Sequence, residues 1–252
     1  MTKLRYLDCN CSIGRVPYPH IYDIPDAAGL KREMVTAGIE EALVFHTVAR
    51  DDDPPLGNGL LHEAIEGIDG LYPCWVVLPH HTGEMPPPSQ LLEEMRKKNV
   101  RAVRMYPTRN WHSFSMAEWN VGELLAALDE ARVPLLLDIE IVTWDTVQAI
   151  LEKYSRLPVI AINVSYRHDR FTYPLFGRYD NIYVETSRYF GFCVIEEVVR
   201  RFGSGRILFG TNMPQYTGTS AVTHLTYSDI PRADKEAIAG GTLRRLLKEA
   251  LS

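Results

Sequence analysis

Several charged and polar residues stand at or just after the ends of short apolar runs in this sequence. Asp138 and Glu140 follow the apolar run 135–137, and the two-residue alternation of a strand places both carboxylates on one face. Arg104 and Tyr106 share a face of an earlier strand for the same reason. A carboxylate beside an arginine could bind an anionic substrate, and an aspartate with a raised pKa could act as a general acid or base. These residues predict proton-transfer chemistry on a small, anionic molecule.

Two histidines and a further polar pair occupy comparable positions. His46 ends the second apolar run, His80 follows the third, and Glu185 and Ser187 project together from the seventh. A histidine that ends an apolar strand is equally compatible with a structural role. The candidate catalytic residues are Asp138 as the leading acid or base, helped by His46, His80 or Glu140, and the candidate substrate-binding residues on these strands are Arg104, Tyr106, Glu185 and Ser187.

The elements that must position these residues are short apolar runs alternating with helical patterns. Strands are predicted at 5–9, 41–46, 72–78, 100–106, 134–139, 158–164, 182–185 and 206–209. Helices are predicted at 27–37, 60–66, 89–98, 121–131, 143–153 and 194–202, with one or two more over 232–251 and an unclear segment at 165–180. This order predicts an α/β fold, a (β/α)8 TIM barrel that forms a single domain over residues 1–252. A doubly wound open sheet is the alternative, but it more often has about five to seven strands.

The lengths of the connections favour the barrel and orient it. Connections that enter strands are tight, whereas several that leave strands are long, namely 13–26, 47–59, 79–88 and 107–120. Long loops after the strands build a pocket at the carboxyl end of such a barrel. Asp138 and Arg104 are therefore expected at its mouth, where they could serve a substrate or simply form a buried ion pair.

Two segments resemble a known family. Residues 8–14 read DCNCSIG and residues 207–214 read ILFGTNMP, and they resemble the first and last strand motifs of the amidohydrolase-related metal-dependent hydrolases (amidohydrolase family 2 type). In that family the motifs read Asp-x-His-x-His-x-Gly and Phe-Gly-Ser/Thr-Asp-x-Pro. Residues 99–107, NVRAVRMYP, and residues 181–187, NIYVETS, are similar to further strands of the family. The resemblance implies a TIM barrel with a metal site at the carboxyl ends of strands one, five, six and eight.

The metal-ligand positions implied by this resemblance carry other residues. Asn10 and Ser12 replace two histidines, Asp138 and Asn163 replace one histidine each, and Asn212 replaces the aspartate. Neutral amides and hydroxyls are poor ligands for zinc. We therefore expect no metal and no other cofactor, and Asn10, Ser12, Asn163 and Asn212 become candidate substrate-binding residues. A relocated metal site built from Asp138, Glu140 and His46 or His80 stays open.

Composition narrows the possible partners. The chain has 252 residues and a net charge of −5 with mixed signs, which gives no basic surface for nucleic acid. No run reaches the ~20 apolar residues needed to span a bilayer, and the N-terminus lacks the long apolar stretch of a signal peptide, so none is expected. The four cysteines do not suggest a disulfide framework, so a cytoplasmic protein is expected. Cys9 and Cys11 alternate along one strand and are expected to share a face. Homo-oligomerisation is compatible with the fold.

Two functions follow from these residues. The first is a metal-independent hydrolase or lyase that acts on a small carboxylated molecule. The alternative is a catalytically inactive barrel that binds a ligand or a protein partner, because all five implied ligand positions differ from the family at once.

Overall fold

Nine parallel strand segments form the sheet of the structure, a computed structural model that describes residues 3–15 and 26–252. They are β1 Leu7–Ile13, β2 Glu41–His46, β3 Leu71–Pro73, β4 Trp75–Val76, β5 Val103–Met105, β6 Leu135–Asp138, β7 Val159–Ile162, β8 Ile182–Glu185 and β9 Ile207–Leu208. Their order is β1-β2-β3 in one ladder and β4 to β9 in sequence in the other. Every pairing is parallel, as the alternation of strands and helices predicted.

Backbone hydrogen bonds join the two ladders at both seams. Only Cys74 separates β3 from β4, and its N–H donates to the carbonyl of Val44 in β2 at 2.8 Å, so β3 and β4 are two halves of one strand. At the other seam, β1 meets the end of the chain's last strand, where Cys9 N–H donates to Phe209 O at 3.0 Å and Ser12 N–H donates to Met213 O at 2.9 Å. The predicted single-domain α/β TIM barrel is confirmed.

Helices cover the outside of the sheet. They are α1 Ala27–Ala37, α2 Thr47–Asp51, α3 Pro54–Ile65, α4 Pro88–Lys97, α5 Glu118–Glu130, α6 Trp144–Lys153, α7 Asp169–Arg178, α8 Val194–Phe202, α9 Gly218–Tyr227, α10 Arg232–Glu236 and α11 Thr242–Glu249. Short 3-10 turns lie at His80–Thr82, Tyr166–His168 and Ser204–Arg206, and a π-helical turn spans Ala237–Gly241. None of the helices in the described ranges is long and apolar enough to cross a membrane.

Two of the three apolar clusters of the described residues determine where the site lies. One fills the space between strands and helices. The other lies inside the barrel and is closed at the amino end of the strands by Leu243, Leu246 and Leu247 of α11. Because this end is filled by apolar side chains, the polar residues of the barrel interior gather at the carboxyl end.

The connection predicted as a loop at 47–59 is largely helical, so that prediction was wrong. The Asp53 side chain accepts the N–H of Leu56 at 2.9 Å and caps α3, and Pro54 occupies the first turn, where its missing N–H costs nothing. The sequence also gave no indication of α9. Most of the loop predicted at 13–26 lies outside the described residues.

The expectation that Cys9 and Cys11 share a face was also wrong. The register of β1 against β2 shifts between Asp8 and Cys11, which marks a β-bulge. Cys9 consequently packs inside the barrel, whereas Cys11 packs under the helices. The bulge turns Asn10 toward the barrel interior as well.

Candidate functional site

A polar cavity of about 220 Å³ opens at the carboxyl end of the strands. This volume suits a small molecule. The lining residues lie on or just after β1, β2, β5, β6 and β7. The loops that follow β8 and β9 form part of the rim. The lining is Asn10, Ser12, Phe45, Arg50, Arg104, Tyr106, Trp111, Asp138, Glu140, Ile162, Asn163, Arg188, Asn212, Pro214, Gln215 and Tyr216.

Arg104 lies in the floor of this cavity without an acidic partner. Arg104 is 2 % exposed, and the one hydrogen bond of its side chain within the described ranges runs from Nη2 to Asn10 Oδ1 at 2.9 Å. Nε of Arg104 and Nδ2 of Asn10 are both buried donors without an acceptor. The expected ion pair with Asp138 is not formed, since no carboxylate of a described residue lies within ion-pair distance of Arg104. A buried cation whose partner is a neutral amide is costly unless an anion joins it.

Aromatic rings hold this guanidinium in place. Arg104 Cζ lies 4.1 Å from the ring centroid of Phe45 and 5.8 Å from that of Tyr106. Stacking on a ring leaves the edges of the guanidinium plane available for hydrogen bonds. Arg104 can therefore present its Nε or Nη1 edge to a bound molecule.

Arg50 is a second cationic residue of the cavity, and the sequence analysis missed it. Its guanidinium binds the Asp51 carboxylate through Nε and Nη2 at 2.6 and 2.8 Å. The Trp111 indole N–H donates to the same carboxylate at 3.2 Å, so the loop after β5 fixes this pair. The sequence does show an arginine shortly after an apolar strand, which could have indicated a site residue. Arg50 reaches the cavity, however, because it lies on helix α2, which was not predicted.

Asp138 ends β6 and faces the cavity. Its Oδ1 accepts the N–H of Glu140 at 2.9 Å, and its Oδ2 accepts Nδ2 of Asn163 at 2.6 Å. Burial raises the pKa of Asp138 above its ordinary value, and the two donated hydrogen bonds and the charge of Arg104 oppose this rise. Asn212 lies close to Asn163, with 3.4 Å between its Nδ2 and Asn163 Oδ1. The carboxylate is thus held by donors, which suits a proton acceptor.

Two fully buried carboxylates lie beneath the lining residues. Asp8 accepts the N–H groups of Asn10 and Thr211 at 2.9 and 3.0 Å. Glu185 accepts the N–H of Asn163 at 3.0 Å and both the N–H and the hydroxyl of Ser187 at 2.6 Å. Burial raises the pKa of Asp8 to about 6 and that of Glu185 to about 7. Glu185 and Ser187 were predicted as substrate-binding residues, but neither is among the residues that line the cavity.

The rim carries the other predicted carboxylate. Glu140 lines the cavity and forms an ion pair with Arg188, and its side chain is 53 % exposed. Of the candidate substrate-binding residues, Arg104, Tyr106, Asn10, Ser12, Asn163 and Asn212 line the cavity.

The two predicted histidines lie elsewhere. His46 Nδ1 accepts the N–H of Val48 at 3.2 Å and caps α2, while the neighbouring Phe45 faces the cavity. His80 lies in the turn after β4, with Nε2 at 3.5 Å from a carboxylate oxygen of the exposed Glu123. Neither ring lines the cavity.

The residues at the implied ligand positions do not fit a divalent cation. Asn10 Oδ1, the atom that would bind a metal, already accepts a hydrogen bond from the Arg104 guanidinium. One oxygen of Asp138 is likewise bound to the Asn163 amide. No group of three histidine, cysteine or carboxylate side chains with suitable geometry occurs in residues 3–15 and 26–252. A permanent cation at this position repels a second one.

Comparisons with known proteins agree with the fold. No protein-family model and no curated protein matches the sequence. Among solved structures, an uncharacterised TIM-barrel protein from Bordetella bronchiseptica matches with a TM-score of 0.75 and 16 % identity over 98 % of this chain and 99 % of that one. By fold, this chain is a TIM barrel of that kind.

Two further matches are named for an activity. A putative 2-pyrone-4,6-dicarboxylic acid hydrolase from Pseudomonas putida has a TM-score of 0.71 and 16 % identity over 100 % of both chains. A dihydroxybenzoic acid decarboxylase from Polaromonas, with bound manganese and the inhibitor 2-nitroresorcinol, has a TM-score of 0.71 and 14 % identity over 98 % of this chain and 97 % of that one. These proteins thus share the fold that the sequence predicted for this chain.

Proposed function

We propose that this chain is an amidohydrolase-related hydrolase or lyase that acts on a small carboxylated molecule without a catalytic metal. The observation that carries the proposal is the buried Arg104 guanidinium, which lines the cavity and has no acidic partner among the described residues. The likeness in fold to a dicarboxylic acid hydrolase and a dihydroxybenzoic acid decarboxylase supports the same substrate chemistry.

Arg104 and Asn10 would bind the carboxylate of the substrate. The unpartnered Nε of Arg104 and Nδ2 of Asn10 are donors, and a carboxylate offers two acceptor oxygens. Hydrogen bonds between a guanidinium and a carboxylate are charge-assisted and stronger than neutral ones. The rings of Phe45 and Tyr106 would flank the apolar part of such a molecule.

Asp138 would transfer the proton. In its ionised form it accepts two hydrogen bonds, and its raised pKa makes it a better base than an exposed aspartate. In a hydrolysis it would take a proton from water as the water oxygen attacks the substrate carbonyl, and then return the proton to the departing oxygen. In a decarboxylation, protonated Asp138 would donate its proton to the substrate carbon that bears the carboxylate, while the bond from this carbon to the carboxylate breaks and carbon dioxide leaves.

Turnover by metal-free protein tests the proposal. Carboxylated lactones and aromatic carboxylates would be screened by absorbance and by release of acid or carbon dioxide. For any substrate found, Asp138→Asn should lower kcat by a factor of about 100 or more, within the range of general acid–base catalysis, and Arg104→Met should mainly raise KM. Arg109→Met, an exposed arginine on the loop after the same strand, is the matched control. Unchanged turnover in Asp138→Asn or Arg104→Met would refute the corresponding role.

Elemental analysis tests the metal-free part separately. Protein purified without chelators should hold well below one equivalent of zinc, manganese or iron, because the Arg104 guanidinium binds the amide at the implied ligand position. Stoichiometric metal would overturn this part and favour the relocated site.

A non-catalytic, ligand-binding barrel is the second candidate function. It is favoured by the hydrogen bonds that occupy Asn10 and Asp138, which would also hold a binding site together without chemistry. Such a protein would bind benzoate in a thermal-shift titration and turn over no member of the substrate panel. Reproducible turnover that Asp138→Asn abolishes would exclude it.

A further inference from the structure

Glu185 lies directly behind the cavity and carries no ion pair with a described residue. Its residue is 0 % exposed, and its carboxylate receives only the hydrogen bonds from Asn163 and Ser187. Burying a carboxylate without a cation costs several kcal/mol, whereas an apolar side chain of similar size avoids this cost. The fold therefore keeps this group at a cost to its stability.

The space for this carboxylate depends on Gly210, just after β9. A Cβ built on Gly210 would lie 2.4 Å from Glu185 Oε2 and 3.0 Å from Cys9 Sγ. Asp8 and Cys9, both on β1, couple electrostatically to Glu185. Both would repel a negative charge when ionised, so neither explains the presence of Glu185.

Asn163 connects Glu185 to the cavity. Its backbone is left-handed, with φ of 61°, which is uncommon for a residue with a side chain. The bond from its N–H to Glu185 Oε1 secures this conformation from below. On the cavity side, its amide donates to Asp138 Oδ2. The chain of contacts thus runs from the buried Glu185 carboxylate to the backbone N–H of Asn163, and from the side-chain amide of Asn163 to the proposed base, Asp138.

We propose that Glu185 is a positioning residue: by fixing the backbone of Asn163, it aims the Asn163 amide at Asp138 and holds that carboxylate in the orientation used for proton transfer. The role of Asp138 as a base rests on the proposed function, but the positioning itself does not require turnover. Glu185 touches no substrate in this arrangement.

The test measures the titration of the Asp138 carboxyl carbon by NMR in protein labelled with ¹³C-aspartate, without any substrate. In Glu185→Met, which keeps similar volume but has no acceptor, Asn163 loses its anchor and donates less well to Asp138. The pKa of Asp138 should then rise by roughly one unit, the size of a hydrogen bond to a charged group. With a pKa of about 7, Glu185 is largely protonated where Asp138 titrates, so loss of its remaining charge would lower the pKa of Asp138 slightly or leave it unchanged. A rise in the pKa of Asp138 therefore separates positioning from electrostatics.

Two further variants bracket this result. Asn163→Ala removes the donor itself and should raise the pKa of Asp138 at least as much. Ser187→Ala removes one hydroxyl from Glu185, leaves the bond to Asn163 and should leave the pKa of Asp138 unchanged. An unchanged or lowered pKa in Glu185→Met, with a raised one in Asn163→Ala, would overturn the proposal.

A measurement on the wild-type protein applies even where Glu185→Met fails to fold. The side-chain amide resonances of Asn163 should show an inflection at the pH where the Glu185 carboxyl titrates, which burial places at about 7. Asn163 amide resonances that do not respond to this titration would contradict the coupling. A confirmed coupling in a protein without turnover would leave the positioning intact and refute only the catalytic function.

Discussion

Arg104 donates a hydrogen bond from Nη2 to Asn10 Oδ1 at 2.9 Å, and this amide is the one hydrogen-bond partner of the guanidinium among the described residues. In the family that residues 8–14 resemble, the position of Asn10 holds a histidine of the metal site. A fixed cation on β5 and a neutral acceptor on β1 thus lie side by side in the lining of the cavity. The proposed function rests on this arrangement, which would attract an anion to the guanidinium.

Asn10→Asp should abolish this attraction. The new carboxylate would pair with Arg104 at the distance now spanned by the amide, and the guanidinium would no longer require a ligand anion. We expect the affinity for benzoate, measured by isothermal titration calorimetry, to fall at least about tenfold, that is by ~1.4 kcal/mol. Asn110→Asp, at an exposed position outside the cavity, makes the same change of charge and should leave the affinity unchanged. Equal losses in both variants would contradict a local effect.

Arg104 and Arg50, two of the three arginines that line the cavity, should contribute unequally to anion binding. Arg104 lacks an acidic partner, whereas Arg50 is already neutralised by Asp51. Arg104→Met should therefore weaken benzoate binding by about 10- to 100-fold, as expected for hydrogen bonds to a charged group. Arg50→Met should weaken it by no more than roughly fivefold, in the range of a compensated ion pair. The reverse order would show that the anion binds at the rim.

The barrel and its pocket follow from local sequence patterns, whereas the pairing of charges within the pocket does not. The short apolar runs at β2, β6 and β8 predicted these strands almost to the residue, because a strand that is buried on both faces is apolar along most of its length. The partner of Arg104 depends on the β-bulge in β1, which turns Asn10 inward. A single inserted residue in one strand leaves no periodic signal, so the amide partner of Arg104 could not be predicted.

The contribution of Arg50 was hidden for a related reason. The segment 47–59 contains prolines, glycines and three consecutive aspartates, which favour a loop. In the structure, caps by His46 and Asp53 satisfy the first N–H groups of α2 and α3 and make the segment helical. Capping depends on side-chain geometry, which the sequence pattern does not show. The position of Arg50 in the cavity follows from the capped helix α2 and could therefore not be predicted.

Asp8 should make the stability of the protein depend on pH. Burial raises its pKa from 3.8 to about 6, so the folded state binds more protons than the unfolded state between these values. The free energy of unfolding therefore falls as the pH rises from about 4 to about 6, by roughly 2–3 kcal/mol at ~1.4 kcal/mol for each pKa unit. Above pH 6 this contribution is constant.

Urea denaturation of the wild type and of Asp8→Asn at pH 5 and pH 7.5 measures this contribution. Several partly buried histidines, including His46, have lowered pKa values and act in the opposite direction, so only the difference between the two proteins is informative. The variant should lose less stability, or gain more, than the wild type on going to pH 7.5. Parallel changes in both proteins would show that Asp8 titrates normally.

His46 should matter for stability and not for ligand binding. Its Nδ1 accepts the N–H of Val48 at the start of α2, and burial lowers its pKa, which keeps the ring neutral and able to accept. His46→Ala should cost about 1 kcal/mol of unfolding free energy, as loss of an N-cap typically does, and His46→Asn should recover most of it. Benzoate affinity should stay within about twofold in both variants, since the ring does not line the cavity. A large loss of turnover in His46→Asn with unchanged stability would instead restore the histidine to the catalytic set, because asparagine can replace the cap but cannot transfer a proton near neutral pH.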